Sequence, residues 1–203
     1  LAQWAYAADL GGNIYRISGV NANTAMASTA PGSWTITKIA ALGCDSTATC
    51  TANRKFMFAP DVVVEPAPNS GTHILLIGSG DREKPLRDYT SAYGVSNYFF
   101  MLKDVPSDST WLSTNMGTCP SANVMCLDSL YGITSSANPA ASDLANKKGW
   151  YLGLNLHEQV VTSAITVFGG TTFSTHTPTV PDPDACASDL GTAQVYNIRY
   201  NNA

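Results

Sequence analysis

Residues 4–17 read Trp-Ala-Tyr-Ala-Ala-Asp-Leu-Gly-Gly-Asn-Ile-Tyr-Arg-Ile, and this stretch decides which fold the sequence predicts. Its two ends, residues 4–8 and 14–17, are short apolar and aromatic runs. Between them lie Asp9, Gly11, Gly12 and Asn13. Glycine and asparagine tolerate the positive backbone φ that tight hairpin turns require. The stretch therefore predicts two antiparallel strands joined by a tight turn.

Similar short runs continue along the chain and fall into three groups. Residues 74–77, Ile-Leu-Leu-Ile, are continuously apolar, which is typical of a strand covered on both faces. Propeller blades are units of about 40–50 residues with four strands. The sequence therefore predicts one all-β domain over residues 1–203, a partial β-propeller of about three blades with long loops and at most one short helix, at 142–148. The predicted strands are 4–8, 14–17 and 34–39, then 61–65, 73–78 and 97–102, then 150–154, 160–168, 171–175 and 194–200.

The composition excludes two classes of protein. The 11 Lys and Arg residues are scattered and the net charge is -4, so the chain has no basic surface of the kind that binds nucleic acid. No apolar run approaches the roughly 18 residues of a membrane-spanning helix. The chain opens with Leu-Ala-Gln-Trp and not with a signal peptide. We therefore expect it to be the C-terminal part of a longer precursor.

The cysteines indicate an oxidising compartment. Cys44 and Cys50 lie close together in one Ser/Thr-rich loop, and Cys119 and Cys126 lie in another. The alternative is a metal site built from the four thiolates, but the spacings are not those of zinc ribbons and no histidine lies near. The spacing favours two local disulfides, which are typical of extracellular proteins. Cys186 is left over, either as a buried thiol or with a partner in the missing part of the precursor.

Three segments resemble one known family. Residues 4–17 resemble the strand–turn–strand signature in the C-terminal propeller of PilY-type pilus proteins. Residues 74–85 with 97–100 resemble the same family, as do 149–154 with 158–163, 172–178, Cys186 and 195–198. The resemblance covers most of the chain. It implies a secreted, non-enzymatic factor at the bacterial cell surface that primes type IV pilus assembly, opposes retraction and acts as a tip adhesin. The partners implied are minor pilins, the rest of the precursor, and host or abiotic surfaces.

The family's propeller also carries a calcium loop with Asp at alternating positions. Residues 181–184 with Asp189 are the nearest approach here, and they lack a third ligand and the turn glycine of such a loop. No cofactor or metal is therefore expected in this segment, although the family's propeller can bind calcium elsewhere.

The densest charge cluster is the loop 79–88, which follows the apolar strand 73–78. Loops at strand ends carry binding function on rigid β scaffolds. Its acidic residues suit a cation, its basic residues suit an acidic partner, and a self-neutralising loop with no ligand is the third interpretation. Two tyrosines that follow belong either to a binding patch or to the core. The candidate binding residues are Asp81, Arg82, Glu83, Lys84, Arg87, Asp88, Tyr89 and Tyr93.

Catalytic interpretations find little support in the sequence. The segment around Ser79 is not the nucleophile elbow of a hydrolase, so a triad with His73, His157 or His176 lacks its expected context. A quinoprotein-type propeller would need a cofactor stacked on tryptophan together with calcium ligands, and the acidic ligand set is missing. A purely structural surface protein is the remaining alternative. We therefore expect a non-enzymatic binding module.

Overall fold

The computed structural model describes residues 2–26, 29–47, 49–69, 71–86, 89–133, 139–179, 184 and 190–203. The described residues are mostly β, with two short α-helices. The strands are β1 (Ala5–Ala8), β2 (Asn13–Ser18), β3 (Thr35–Ala41), β4 (Asp61–Val64), β5 (His73–Gly78), β6 (Tyr98–Asp104), β7 (Tyr131–Ile133), β8 (Gly149–Gly153), β9 (Gln159–Val160), β10 (Ile165–Val167), β11 (Gly170–Thr177) and β12 (Thr192–Arg199). The helices are α1 (Thr90–Tyr93) and α2 (Ala141–Ala145), and single 3₁₀ turns lie at Pro31–Ser33, Trp111–Ser113 and Leu127–Ser129.

The strands form three sheets that follow one another along the chain. The first sheet has the order β1-β2-β3, and the second has the order β4-β5-β6-β8-β7. The third has the order β10-β11-β12, with β9 also paired to β11. Neighbouring strands are antiparallel in every pair except β7 with β8. The second sheet lies between the other two, because its two faces contribute to two separate cores.

The first hairpin forms as its sequence predicts. The Asp9 carboxylate accepts backbone hydrogen bonds from Gly11 and Asn13, each 2.9 Å long. Gly12 has a φ of 76°, where a side chain would be strained, and a Cβ there would lie 2.4 Å from the Cα of Gly43. The aspartate and the glycine together close the turn between β1 and β2.

Strand β5 is the centre of the molecule. All six of its residues are buried, as the continuous apolar run predicts. Leu75 and Ile77 face the core shared with the first sheet, while Ile74 and Leu76 face the core shared with the third sheet. Alternate residues of a strand point to opposite faces, so a strand in a middle sheet must be apolar at every position.

Stacked aromatic rings join the second sheet to the third. The Phe99 ring lies parallel to the Phe173 ring with centroids 3.9 Å apart, and Phe173 stacks on Tyr196 at 4.9 Å. Phe99 and Phe173 are almost completely buried. Such pairs stabilise a core by roughly 0.5–1.5 kcal/mol beyond the area that they bury.

A buried charge network joins the first sheet to the second. Nη1 of Arg16 donates to both carboxylate oxygens of Asp104 at 2.8 Å, and the Tyr6 hydroxyl donates to Oδ2 of Asp104 at 2.9 Å. The Tyr6 hydroxyl lies 2.8 Å from Nδ1 of His73. Because Tyr6 has already given its one proton to Asp104, Nδ1 of His73 must be the donor in that contact. Burial lowers the pKa of His73 and raises the pKa of Tyr6.

Several local predictions are confirmed and others are corrected. Both predicted disulfides are present, Cys44–Cys50 and Cys119–Cys126, which indicates an extracellular or periplasmic setting. The predicted strand 160–168 is interrupted, since β9 and β10 are separate strands along β11. The sequence also missed β7 and α1, which are too short to show a periodic pattern. Within the described part of the chain, no helix has the length and hydrophobicity needed to cross a membrane.

Candidate functional site

A polar cleft of about 190 Å³ opens where β5 ends and the predicted charged loop begins. We call it the Asp81 cleft. Its walls come from three places: the segment 51–55 with residues 80–81 that follow β5, the stretch 91–97 that includes the end of α1 and leads into β6, and Gln159 at the start of β9. Gly80 permits this approach, because a Cβ there would lie 2.5 Å from the carbonyl oxygen of Val160. The end of the second sheet therefore touches the start of the third.

The strongest interaction in the cleft is an ion pair between Lys55 and Asp81. Nζ of Lys55 lies 2.6 Å from Oδ2 of Asp81. The aspartate side chain is only 7% exposed, whereas the lysine side chain is 31% exposed. Oδ1 of Asp81 is buried and has no hydrogen-bond partner among the described residues. The charge of Asp81 is thus balanced within the protein while one of its oxygens remains unsatisfied.

The other buried polar side chains of the cleft are engaged with the protein itself. Oε1 of Gln159 accepts the backbone N–H of Asp81 at 2.7 Å. Oδ1 of Asn97 accepts from the Ser79 hydroxyl at 2.9 Å, and Nδ2 of Asn97 donates to the Glu158 carbonyl at 3.0 Å. These bonds tie the ends of β5, β6 and β9 to one another. The cleft is therefore pre-formed, and most of its hydrogen-bonding capacity is used internally.

Glu158 holds the third wall in place. Its buried carboxylate accepts the Asn155 backbone N–H at 2.8 Å and the Tyr196 hydroxyl at 3.1 Å, and it also accepts from the Thr175 hydroxyl. Burial and the bond to Glu158 raise the pKa of Tyr196 to about 12. The turn that precedes Gln159 and β9 is thereby anchored to β11 and β12.

The predicted site residues separate into three sets. Asp81 lines the cleft, whereas Arg82 and Glu83 are exposed and Lys84 is half-buried. The guanidinium of Arg82 lies 6.0 Å from the ring centroid of Phe58. Arg87 and Asp88 lie outside the described residues, as does Cys186. The structure thus brings Asp81 into the cleft while Arg82 and Glu83 extend into solvent.

The two predicted tyrosines differ in their surroundings. Tyr89 is 43% exposed and precedes α1. Tyr93 stacks on His157 with ring centroids 3.4 Å apart, and Nδ1 of His157 lies 2.6 Å from the Tyr93 carbonyl oxygen. Tyr93 therefore connects α1 to the loop before β9, and Tyr89 is the tyrosine with a larger surface open to a partner.

Sequence reasoning missed Lys55, Asn97 and Gln159. Lys55 lies in no segment that the sequence analysis singles out. Asn97 and Gln159 lie in segments 97–100 and 158–163, which resemble the PilY-type family, but nothing in those segments indicates a contact near Asp81. Only the packing of the three sheets brings them together.

The histidines have contacts of a structural kind. His73 lies in the buried network with Tyr6, His157 stacks on Tyr93, and Nε2 of His176 contacts the Leu190 carbonyl oxygen. Among the described residues, no three His, Cys, Asp or Glu side chains are grouped in a way that could hold a metal ion.

Comparison of the chain with protein-family models, with curated proteins and with solved structures found no match. The interpretation of the site therefore depends on its own geometry, and the resemblance to PilY-type proteins stays a prediction.

Proposed function

We propose that this chain is a non-enzymatic binding module that works outside the cytoplasm as part of a β-propeller, and that it serves adhesion or assembly in a type IV pilus system. The observation that carries the proposal is the stack of three consecutive sheets, packed face to face through two cores, with a face at each end that no other described element covers. Propeller blades pack in this way around a central axis. The two disulfides support a setting outside the cytoplasm.

Both uncovered faces carry exposed apolar side chains. On the first sheet, Ile36 is 68% exposed and lies opposite Ile17 in the β2–β3 pair. On the third sheet, Ile165 is 62% and Val195 is 64% exposed. Large apolar side chains that are exposed on one face of a sheet are candidates for contact with a partner. The proposal therefore includes a partner, either the rest of a precursor or a minor pilin, that packs on one or both faces.

A native pull-down against purified minor pilins and against the remainder of the precursor tests this proposal. We expect saturable binding to at least one of them. Ile36→Asp or Val195→Asp should weaken that binding at least about tenfold, because each places an unpaired charge in the interface. Ser107→Asp is the control, since it adds the same charge at an exposed position in the loop that follows β6, outside the strands of both faces. Absence of binding by the folded, oxidised chain would contradict the pilus function, and a bound quinone absorbance would contradict the non-enzymatic one.

A further inference from the structure

A second cleft lies at the opposite end of β5 and β6. Its volume is about 260 Å³, and it is open to solvent between the second and third sheets. The connection between β4 and β5 contributes Glu65, Asn69 and Thr72, β6 contributes Lys103, and the segment after β12 contributes Asn201. We call it the Lys103 cleft. None of its polar residues is among those that the sequence singled out.

The polar side chains of the Lys103 cleft, all of which lie among the described residues, form no hydrogen bond or ion pair with one another. Among the residues that the structure describes, no carboxylate lies within 4.0 Å of the Lys103 ammonium, and the carboxylate of Glu65 has no ion-pair partner either. The side chains of Asn69, Thr72 and Asn201 likewise make no hydrogen bond with described residues. An acceptor, a donor and three groups of mixed character therefore line one opening, and none of these side chains is bonded to another described residue.

Aromatic and aliphatic side chains complete the walls. Trp111 is held in place because its Nε1 donates to the Lys103 carbonyl at 3.0 Å and the Lys148 ammonium lies 3.4 Å from its ring centroid. Tyr200, Ile74 and Met101 also line the cleft. A fixed aromatic wall beside a few polar groups is the usual construction of a small-ligand site.

The chemistry of the cleft matches a neutral polyhydroxyl compound. A sugar hydroxyl both donates and accepts, so neighbouring hydroxyls can donate to Glu65 while others accept from Lys103 and the amides. The opposite charges of Glu65 and Lys103 leave the cleft without net charge, which does not favour a purely anionic or cationic ligand. The C–H faces of a pyranose ring suit the Tyr200 ring and the face of the Trp111 ring that the Lys148 ammonium does not cover. The volume lies below the roughly 300–1,000 Å³ of sites for larger ligands, which indicates one sugar ring.

We infer that the Lys103 cleft binds a single neutral hexopyranose unit of a surface glycan, held by Glu65 and Lys103 against Trp111 and Tyr200. The inference rests on the proposed role as a binding module outside the cytoplasm. It identifies a glycan as the ligand on one surface that such a module contacts.

Saturation-transfer NMR titrations with the methyl glycosides of glucose, galactose, mannose and N-acetylglucosamine test the inference. We expect saturable binding of at least one glycoside, weakened at least tenfold by Lys103→Met and by Glu65→Gln. Lys38→Met is the matched control, because Lys38 is exposed on the first sheet. Urea unfolding of each variant verifies that it is folded. The inference is overturned if no glycoside binds the folded chain, or if binding is unchanged in both cleft variants.

Two further measurements distinguish the sugar site from its alternatives. Binding of L-phenylalanine without binding of any glycoside would assign the cleft to a zwitterion and overturn the sugar assignment. The pull-down with pilins and precursor, repeated with the Lys103→Met variant, tests the assembly role separately from the sugar site. Glycoside binding without protein partners would leave only the sugar site, and protein binding without glycosides would leave only the assembly role.

Discussion

The two clefts at opposite ends of β5 and β6 differ in what their charges do. In the Asp81 cleft, Lys55 and Asp81 form an ion pair at 2.6 Å, and Asn97 and Gln159 bond to neighbouring strands. In the Lys103 cleft, Lys103 and Glu65 face the opening without pairing to each other. The first cleft uses its polar groups to hold sheets together, and the second keeps them available. A dense run of charge in a sequence is therefore a poor guide to which site is ready for a ligand.

Among these variants, Asp104→Ala should lower the free energy of unfolding most, because it breaks a fully buried ion pair. The change leaves Arg16 buried without its carboxylate, and we expect a loss of about 3–5 kcal/mol in the free energy of unfolding. Urea denaturation at pH 7 measures it. The double variant Arg16→Met with Asp104→Leu is the control and should recover most of the loss, because apolar replacement of both charged partners is often neutral and the Tyr6 hydroxyl can then donate to Nδ1 of His73. A loss below about 1 kcal/mol in Asp104→Ala would mean that Arg16 reaches water.

Asp81→Ala should have an intermediate effect. Lys55 is partly exposed and can turn to water once Asp81 is gone, so we expect a loss of about 1–3 kcal/mol in the free energy of unfolding. Glu83→Ala is the control, since Glu83 is an exposed neighbour in the same loop and should change stability by less than about 0.5 kcal/mol. If Asp81→Ala is as stable as the natural chain, the ion pair of the Asp81 cleft does not stabilise the fold. The proposed difference between the two clefts would then be wrong.

Lys103→Met should change the free energy of unfolding least, and unlike the other two variants it should not lower it. Burial lowers the pKa of Lys103 below 10.5, although Glu65 opposes that shift. The folded chain therefore binds this proton less tightly than the unfolded chain, and the charged lysine destabilises the fold at neutral pH. We expect the variant to be as stable as the natural chain or up to about 1 kcal/mol more stable at pH 7.

The difference in stability between the Lys103→Met variant and the natural chain should depend on pH. As the pH rises through the lowered pKa of Lys103 towards 10.5, lysine becomes neutral in both states and the advantage of the Lys103→Met variant should shrink. Urea unfolding at pH 7, 8.5 and 10 follows it. An advantage that grows with pH would contradict the assigned direction of the pKa shift.

The candidate site was predicted in part. The loop after β5 is where the cleft opens, and Asp81 is in it, because a strand end next to a charged loop is visible in the sequence. Lys55 and Gln159 were not predicted, since they approach Asp81 from other segments of the chain. The Lys103 cleft was not predicted at all, because its polar residues come from three separate segments and none of these is rich in charge.

The sequence by itself determined the features that depend on near neighbours. The hairpin at Asp9, the buried strand β5 and the two disulfides, which join cysteines 6 and 7 residues apart, are all of this kind. Their chemistry lies within a few residues, so the pattern and the structure agree.

Only the tertiary structure decided which charges are paired. Arg16 and Asp104 are 88 residues apart and pair because β2 and β6 belong to sheets that pack together. Lys55 and Asp81 are 26 residues apart and pair because the connection between β3 and β4 lies against the loop that follows β5. The energy of an ion pair depends on distance and burial, and neither can be read from order along the chain. The same packing left Glu65 and Lys103 beside an open cleft.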